Sequence, residues 1–323
     1  MSARDLKQPF RGVFGLLELL RKIGLDPSPL AMLQKPVAER QQSKPPFWMT
    51  RPGDRTVITR DVVVDGRGGS LTVRLYVPVG HRPGTPAILY LHGGGFVLGG
   101  LDGCDYISRG LAARTGLLVA SVEYRLAPET PFPGPLDDCE DALRWLVETC
   151  PEGVDGSRVA VGGDSAGGNL TAALALRVRD SLGPRIVHQT LVYPFLDGTI
   201  TSADWDDNAG GGVDRAAGVR MVELYAPHHS ATDPYVSPLH APDLTGLAPA
   251  LVISAQVDVL RADSLAYVER LRAAGVPVVH RDYAGVPHGF VTMPRLCKES
   301  DEALDLVASE MAQALYGEDA RPA

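Results

Sequence analysis

Residues 159–169 read VAVGGDSAGGN: a short apolar run, a glycine pair, an acid and a serine, then an alanine and two more glycines. Taken as the strand RVAVGG (158–163) followed by the helix AGGNLTAALALRVRD (166–180), the stretch places Ser165 on a tight corner between the two. A residue on such a corner is held in a sparsely allowed backbone conformation, so its neighbours at 163 and 167 must lack bulk, and both are glycine. This is the plan of a nucleophile elbow, which lifts a hydroxyl above a sheet and aims the first helical amides, including that of Ala166, at whatever the hydroxyl attacks. Gly-x-Ser-x-Gly alone is a weak signal, and a strand-to-helix turn with a capping serine reads the same way. A phosphate loop is disfavoured, because Gly168 and Asn169 stand where Lys and Ser or Thr belong.

Outward from this corner, short apolar runs alternate with helix-period segments. PAILYLH (86–92), LLVASVEY (117–124), RVAVGG, IVHQTLVYP (186–194), ALVISAQV (250–257) and PVVHRDYA (277–284) read as strands, with helices over 104–115, 135–149, 166–180, 261–274 and 299–316. Strands buried on both faces read as continuous apolar runs, so the pattern predicts an α/β fold, a mostly parallel sheet flanked by helices. TVITRDVVV (56–64) and LTVRLYV (71–77) around DGRGGS form a hairpin that starts the sheet. Between Phe195 and Pro249 the rhythm lapses, and a stretch that long without regular pattern reads as a binding element or lid. Residues 10–24 read as an amphipathic helix. The prolines at 27, 29, 36, 45, 46 and 52 make the following segment a surface connector. The chain therefore divides into an N-terminal cap segment (1–54), a first part of the core (55–195), a cap insertion (196–230) and a second part of the core (231–323).

A serine hydroxyl is a weak nucleophile until a base lies within hydrogen-bond reach and an acid orients that base. Asp258 closes the strand ALVISAQV, and His288 follows the last strand in GVPHGF. All three groups then lie at carboxyl ends of strands, in the order Ser, Asp, His. Asp263 and Asp282 are weaker candidates for the acid, the first lying inside a helix and the second before the last turn. LYLHGGGF (89–96) ends a strand in three successive glycines whose amides can face a developing oxyanion. The expected donors are Gly93, Gly94 and Ala166. Trp48 and Trp205, both in cap segments, are candidate walls of a substrate pocket or else surface-packing residues.

HGGGF, YRLAPE (124–129), GDSAGG (163–168), DPYVSPL (233–239), DVLRAD (258–263) and HGF (288–290) occur in an order and spacing that resemble the bacterial hormone-sensitive lipase family. The resemblance runs from about residue 85 to the C-terminus. It implies an α/β-hydrolase fold, a cap built from the N-terminal segment and an insertion after the sixth strand, and carboxylesterase activity on short and medium acyl chains. It also implies that His92 braces the glycine loop, and that dimers form through the last strand and its neighbouring helix, here 277–284 and 299–316. One departure is visible: the family's acid usually begins Asp-Pro-Leu, whereas here Val259 follows Asp258 and Gln256 stands two residues before it.

Composition narrows the partners. The net charge of −8, with cations scattered along the chain, leaves no footprint for nucleic acid or an anionic membrane. Cys104, Cys139, Cys150 and Cys297 have no metal or redox spacing, which fits reduced thiols in a cytoplasmic protein. No signal peptide or stable membrane insertion is expected from the N-terminal helix. The expected function is serine carboxylesterase, with no metal or organic cofactor. A receptor on the same scaffold, like the gibberellin receptors that lose the histidine, and an amidase or peptidase using the same triad are the alternatives.

Overall fold

The computed structural model describes residues 5–22, 29–208 and 213–317. Eight strands form one sheet in the order β1-β2-β4-β3-β5-β6-β7-β8. Before it come a first helix, α1 (Phe10–Lys22), and two short ones, α2 (Pro29–Met32) and α3 (Val37–Gln41). Both short helices start at or just after a proline, whose fixed φ suits a first turn, so the connector is less irregular than its prolines suggest. Residues 23–28 of that connector, like 209–212 of the insertion and the extreme termini, lie outside the described residues.

The hairpin β1 (Val57–Gly66) and β2 (Gly69–Pro78) pairs antiparallel, and β2 joins the sheet antiparallel to β4. The remaining strands run parallel: β3 (Ala87–Leu91), β4 (Leu118–Val122), β5 (Val159–Asp164), β6 (Ile186–Val192), β7 (Ala250–Val257) and β8 (Val278–Pro287). β3, β4 and β5 are buried along their whole length, as strands covered on two faces must be. One face carries α4 (Asp105–Thr115) and α10 (Glu299–Tyr316), and the other carries α5 (Gly134–Thr149), α6 (Ala166–Asp180) and α9 (Arg261–Ala273). The insertion contributes α7 (Asp204–Asp207) and α8 (Arg215–Tyr225).

β8 runs three residues beyond the expected end at 284, because a register shift against β7 lets it continue past Gly285, whose φ is +70°. The Gln256 side chain accepts from the Gly285 amide at 2.9 Å across that irregularity. Gln256 thus serves the turn that leads into His288, and Val259 is buried where the family more often has proline.

Two buried side chains tie the outer pieces to the core. Arg40 of α3 is 1% exposed and donates to the carbonyls of Val97 at 2.7 Å and Ala127 at 2.8 Å, and pairs with the Glu129 carboxylate. Phe96, at the end of the glycine loop, stacks on Tyr225 of α8 with ring centroids 3.8 Å apart. The N-terminal segment and the insertion therefore both rest on the loop that follows β3.

Candidate active site

Ser165 stands between β5 and α6 with φ +55° and ψ −117°, a conformation that costs about 1–3 kcal/mol and persists only where its surroundings enforce it. The enforcement is close packing. A Cβ on Gly167 would lie 2.0 Å from the Leu91 carbonyl oxygen, and one on Gly163 would lie 2.3 Å from that of Gly167. The Ser165 amide donates to the Val192 carbonyl at 2.9 Å, tying the corner to β6.

His288 and Asp258 converge on this corner. The His288 Nε2 lies 2.9 Å from Ser165 Oγ, and Nδ1 lies 2.8 Å from Asp258 Oδ2. Asp258 is 1% exposed, and its other carboxylate oxygen accepts from the Leu260 amide at 2.9 Å. With the Nδ1 proton donated to Asp258, Nε2 is left to accept from the serine hydroxyl. Burial works against a charged imidazole, yet the charge and hydrogen bond of Asp258, with Asp164 adding to them, hold His288 above its ordinary value.

The other two acids lie elsewhere. Asp263, 3% exposed, accepts from the amides of Leu196 and Asp197 at 3.3 and 3.2 Å and so anchors the start of the insertion. Asp282 pairs with Arg261 at 2.8 Å and accepts from Ser254, whose hydroxyl also meets His280 at 2.9 Å. His280 is thus a partly covered side chain of the sheet edge. His229 packs edge-on against Phe132, with ring centroids 4.6 Å apart. Among the described residues, no group of three His, Cys, Asp or Glu side chains could hold a metal ion.

The glycine loop differs from expectation by one position. The Gly93 amide donates to Asp164 Oδ1 at 3.1 Å, and Gly93 does not line the cavity above Ser165. Gly94 and Gly95 do line it, and no group among the described residues accepts from either amide. Their φ values of +127° and +60° are conformations that glycine adopts readily and other residues rarely do. Ala166, the first residue of α6, has no intrahelical partner for its amide and lines the same cavity. His92 sits behind the loop: its Nδ1 lies 2.8 Å from the Gly93 carbonyl, its ring stacks on Tyr124 at 4.1 Å, and Tyr124 donates to its carbonyl at 2.7 Å. Burial pushes its imidazole down to about 4, so it is neutral there.

The polar residues of YRLAPE hold loops without pairing with each other. Arg125 grips Asp138 of α5 at 2.7 Å, and Glu129 takes Arg40. Asn169 donates to the carbonyls of Phe195 and Val236, both at 2.8 Å, pinning α6 beneath the insertion.

The cavity above Ser165 has a volume of about 220 Å³. Its walls are mainly apolar: Phe96, Phe195, Trp205, Val213, Met221 and Val259 surround the Ser165 and His288 side chains. Trp205 is 2% exposed and packs edge-on against Phe195 at 6.5 Å. Trp48 is 39% exposed and does not line the cavity. Met221, Tyr193 and Gly95 are site residues that sequence reasoning missed. Gly95 carried a signal, standing third in an unbroken glycine run, whereas Met221 and Tyr193 carried none.

A mostly parallel sheet with serine, aspartate and histidine meeting at its strand ends in that chain order defines an α/β hydrolase. A profile of the family described as alpha/beta hydrolase fold matches residues 88–292. The carboxylesterase NlhH of Mycobacterium tuberculosis is 38% identical over 253 residues, covering 76% of this chain and 79% of that protein. An ethyl acetate hydrolase of Pseudomonas putida is 35% identical over 299 residues, 89% of this chain and 92% of its own. An alpha/beta hydrolase enzyme from the metagenome of Lake Arreo, a solved structure, superposes with a TM-score of 0.86 at 32% identity, over 95% of this chain and 98% of that one. The chain belongs to the bacterial hormone-sensitive lipase family of α/β hydrolases.

Proposed function

We propose that this chain is a serine carboxylesterase acting on small esters through an acyl-enzyme. The observation that carries the reading is the continuous relay from Ser165 Oγ through His288 to Asp258, with hydrogen-bond distances of 2.9 and 2.8 Å. Ser165 attacks the ester carbonyl carbon as His288 Nε2 takes its proton, and Asp258 supports the imidazolium that forms. The carbonyl oxygen, now negative, accepts from the amides of Gly94, Gly95 and Ala166, so Gly95 takes the role expected of Gly93. Collapse of the tetrahedral species expels the alcohol, which leaves with the proton from His288. Water then attacks the acyl-serine with His288 again as base, releasing the acid and restoring the hydroxyl.

The relatives' names support ester hydrolysis, and the cavity supports a small substrate. At about 220 Å³ it lies below the ~300–1,000 Å³ usual for drug-sized ligands, and its apolar walls suit short- to medium-chain acyl groups. The presence of His288 beside Ser165 disfavours a receptor that binds without cleaving. Rates on aryl esters of increasing acyl length test this reading. We expect a maximum at short chains and a fall of about 10⁴-fold or more for Ser165→Ala. Hydrolysis unchanged by Ser165→Ala refutes it. Faster cleavage of matched anilides than of esters would move the chain to the amidases.

A further inference from the structure

Beside Ser165 lies a second buried acid, to which the proposed reaction assigns no bond and no proton. Asp164 is 8% exposed, and its Oδ1 accepts from two donors of distant origin: the Tyr90 hydroxyl of β3 at 3.0 Å and the Gly93 amide at 3.1 Å. Gly93 opens the loop whose next two residues, Gly94 and Gly95, line the cavity, and neither of their amides has an acceptor among the described residues. The carboxylate therefore spans the two halves of the site, joined in the chain to Ser165 and by hydrogen bond to the oxyanion loop. The fit is close, since a Cβ on Gly93 would lie 2.5 Å from Asp164 Oδ2.

A second cavity, of about 290 Å³, lies behind the loop. Lys44, Pro45, His92, Gly99 and Gly103 line it, and Asp164 and Gly94 line both cavities. Asp164 is thus part of the wall between the substrate chamber and a rear chamber that reaches the Lys44 side chain, itself 60% exposed.

We propose that Asp164 is a positioning residue for the oxyanion loop: its carboxylate holds the Gly93 amide, thereby aiming those of Gly94 and Gly95, and its protonation slackens that hold. A hydrogen bond to an ionised acceptor is roughly twice as strong as one to a neutral acceptor, so the charge matters as well as the shape. The groups facing Asp164 are Tyr90 from β3, His92 at the start of the loop, Cys104 ahead of α4, Tyr124 after β4, Tyr193 after β6 and His288. No arginine or lysine forms an ion pair with it among the described residues. Burial therefore raises its carboxyl to about 6, against the lowering by the Tyr90 hydroxyl, the His288 charge and the Gly93 amide. Its charge in turn helps hold His288 up.

This inference rests on the esterase reading above, and the test separates the two. For wild type, Asp164→Asn and Tyr90→Phe, kcat and KM on an aryl butyrate are measured from about pH 5 to about pH 9. The asparagine keeps an acceptor for Gly93 and removes the charge. We expect kcat at about pH 8 to fall about 10-fold, short of the ~100–1,000-fold that follows outright loss of a donor, with KM little changed. In wild type, log kcat should fall with a slope steeper than one near pH 6. In Asp164→Asn the slope should be one and the acid limb should lie at lower pH. Tyr90→Phe, which retains the carboxylate without one donor that lowers it, should move the steep region to higher pH and decides the matter if Asp164→Asn does not fold. Asp164→Asn with wild-type kcat and an unchanged profile overturns the proposal, as does Tyr90→Phe with an unmoved profile. Labelling of Ser165 by a phosphonate is scored in parallel: failure to label wild type sinks the esterase reading, whereas normal labelling with unmoved profiles sinks only the role of Asp164.

Discussion

Asp258 meets His288 with one carboxylate oxygen and keeps the other on the Leu260 amide, so the acid is locked before it orients the base. Because that carboxylate lifts the His288 imidazole against the effect of burial, hydrolysis should fail on the acid side at a pH above the ordinary histidine value of about 6.5. The sign follows from the chemistry: the base must be neutral to accept the serine proton, and activity is lost as pH falls through its raised value. Asp258→Asn should lower kcat by about 10⁴-fold, the loss seen when a triad acid becomes an amide, and should move the remaining acid limb to lower pH. A stopped-flow pH series on both proteins checks this, and an acid limb that stays in place would show that Asp258 does not set the basicity. At this scale Ser165, Asp258 and His288 were legible because strand ends and chain order single them out. The choice between Gly93 and Gly95 was not, since it depends on Asp164, 71 positions away, capturing one amide of three.

Elements were read nearly to the residue where they are buried on both sides, because a covered strand has to be apolar throughout. β3 follows that rule without exception, and β4 to β7 follow it apart from a few polar side chains such as Ser121, His188, Gln189 and Ser254. The exceptions arose where tertiary contacts act. β8 continues through a bulge that the Gln256 side chain stabilises, and the proline-rich connector holds two short helices because one face has something to rest on. Arg40 is the centre of that contact. Replacing it with alanine leaves the Val97 and Ala127 carbonyls without their donor, and each buried group left unpaired costs about 1–3 kcal/mol. The outer half of Glu129 is exposed, so its ion pair adds little. Urea unfolding of Arg40→Ala should therefore show a loss of at least about 2 kcal/mol, and kcat should fall because Val97 belongs to the glycine loop. A variant as stable as wild type would mean that the N-terminal segment does not brace the site.

For the whole molecule, the sheet ends in two edge strands, β1 and β8, and an open edge is a template for pairing. The dimer through 277–284 and 299–316 is a proposal at this scale. β8 offers Val279, 43% exposed, while β1 offers Ile58 and Val63 at 63% and 71%, so the competing edge is the more apolar. Light scattering at micromolar concentration should give twice the mass of one chain, reduced to a single mass by Val279→Asp; a mass that falls with Val63→Asp instead would assign the interface to β1. No helix among the described residues is long and apolar enough to cross a membrane. By itself the sequence determined the alternation of strands and helices, the elbow at Ser165 and the identity of its two partners, because these follow from local period, from glycine at positions that tolerate no Cβ, and from chain order. Only the tertiary structure decided that Gly94 and Gly95 line the cavity while the Gly93 amide is taken by Asp164, that Trp205 and not Trp48 walls the cavity, and that Asp164 joins elbow to loop. Those outcomes depend on groups brought together from opposite parts of the chain, where neighbours in space, and not neighbours in sequence, set direction and burial.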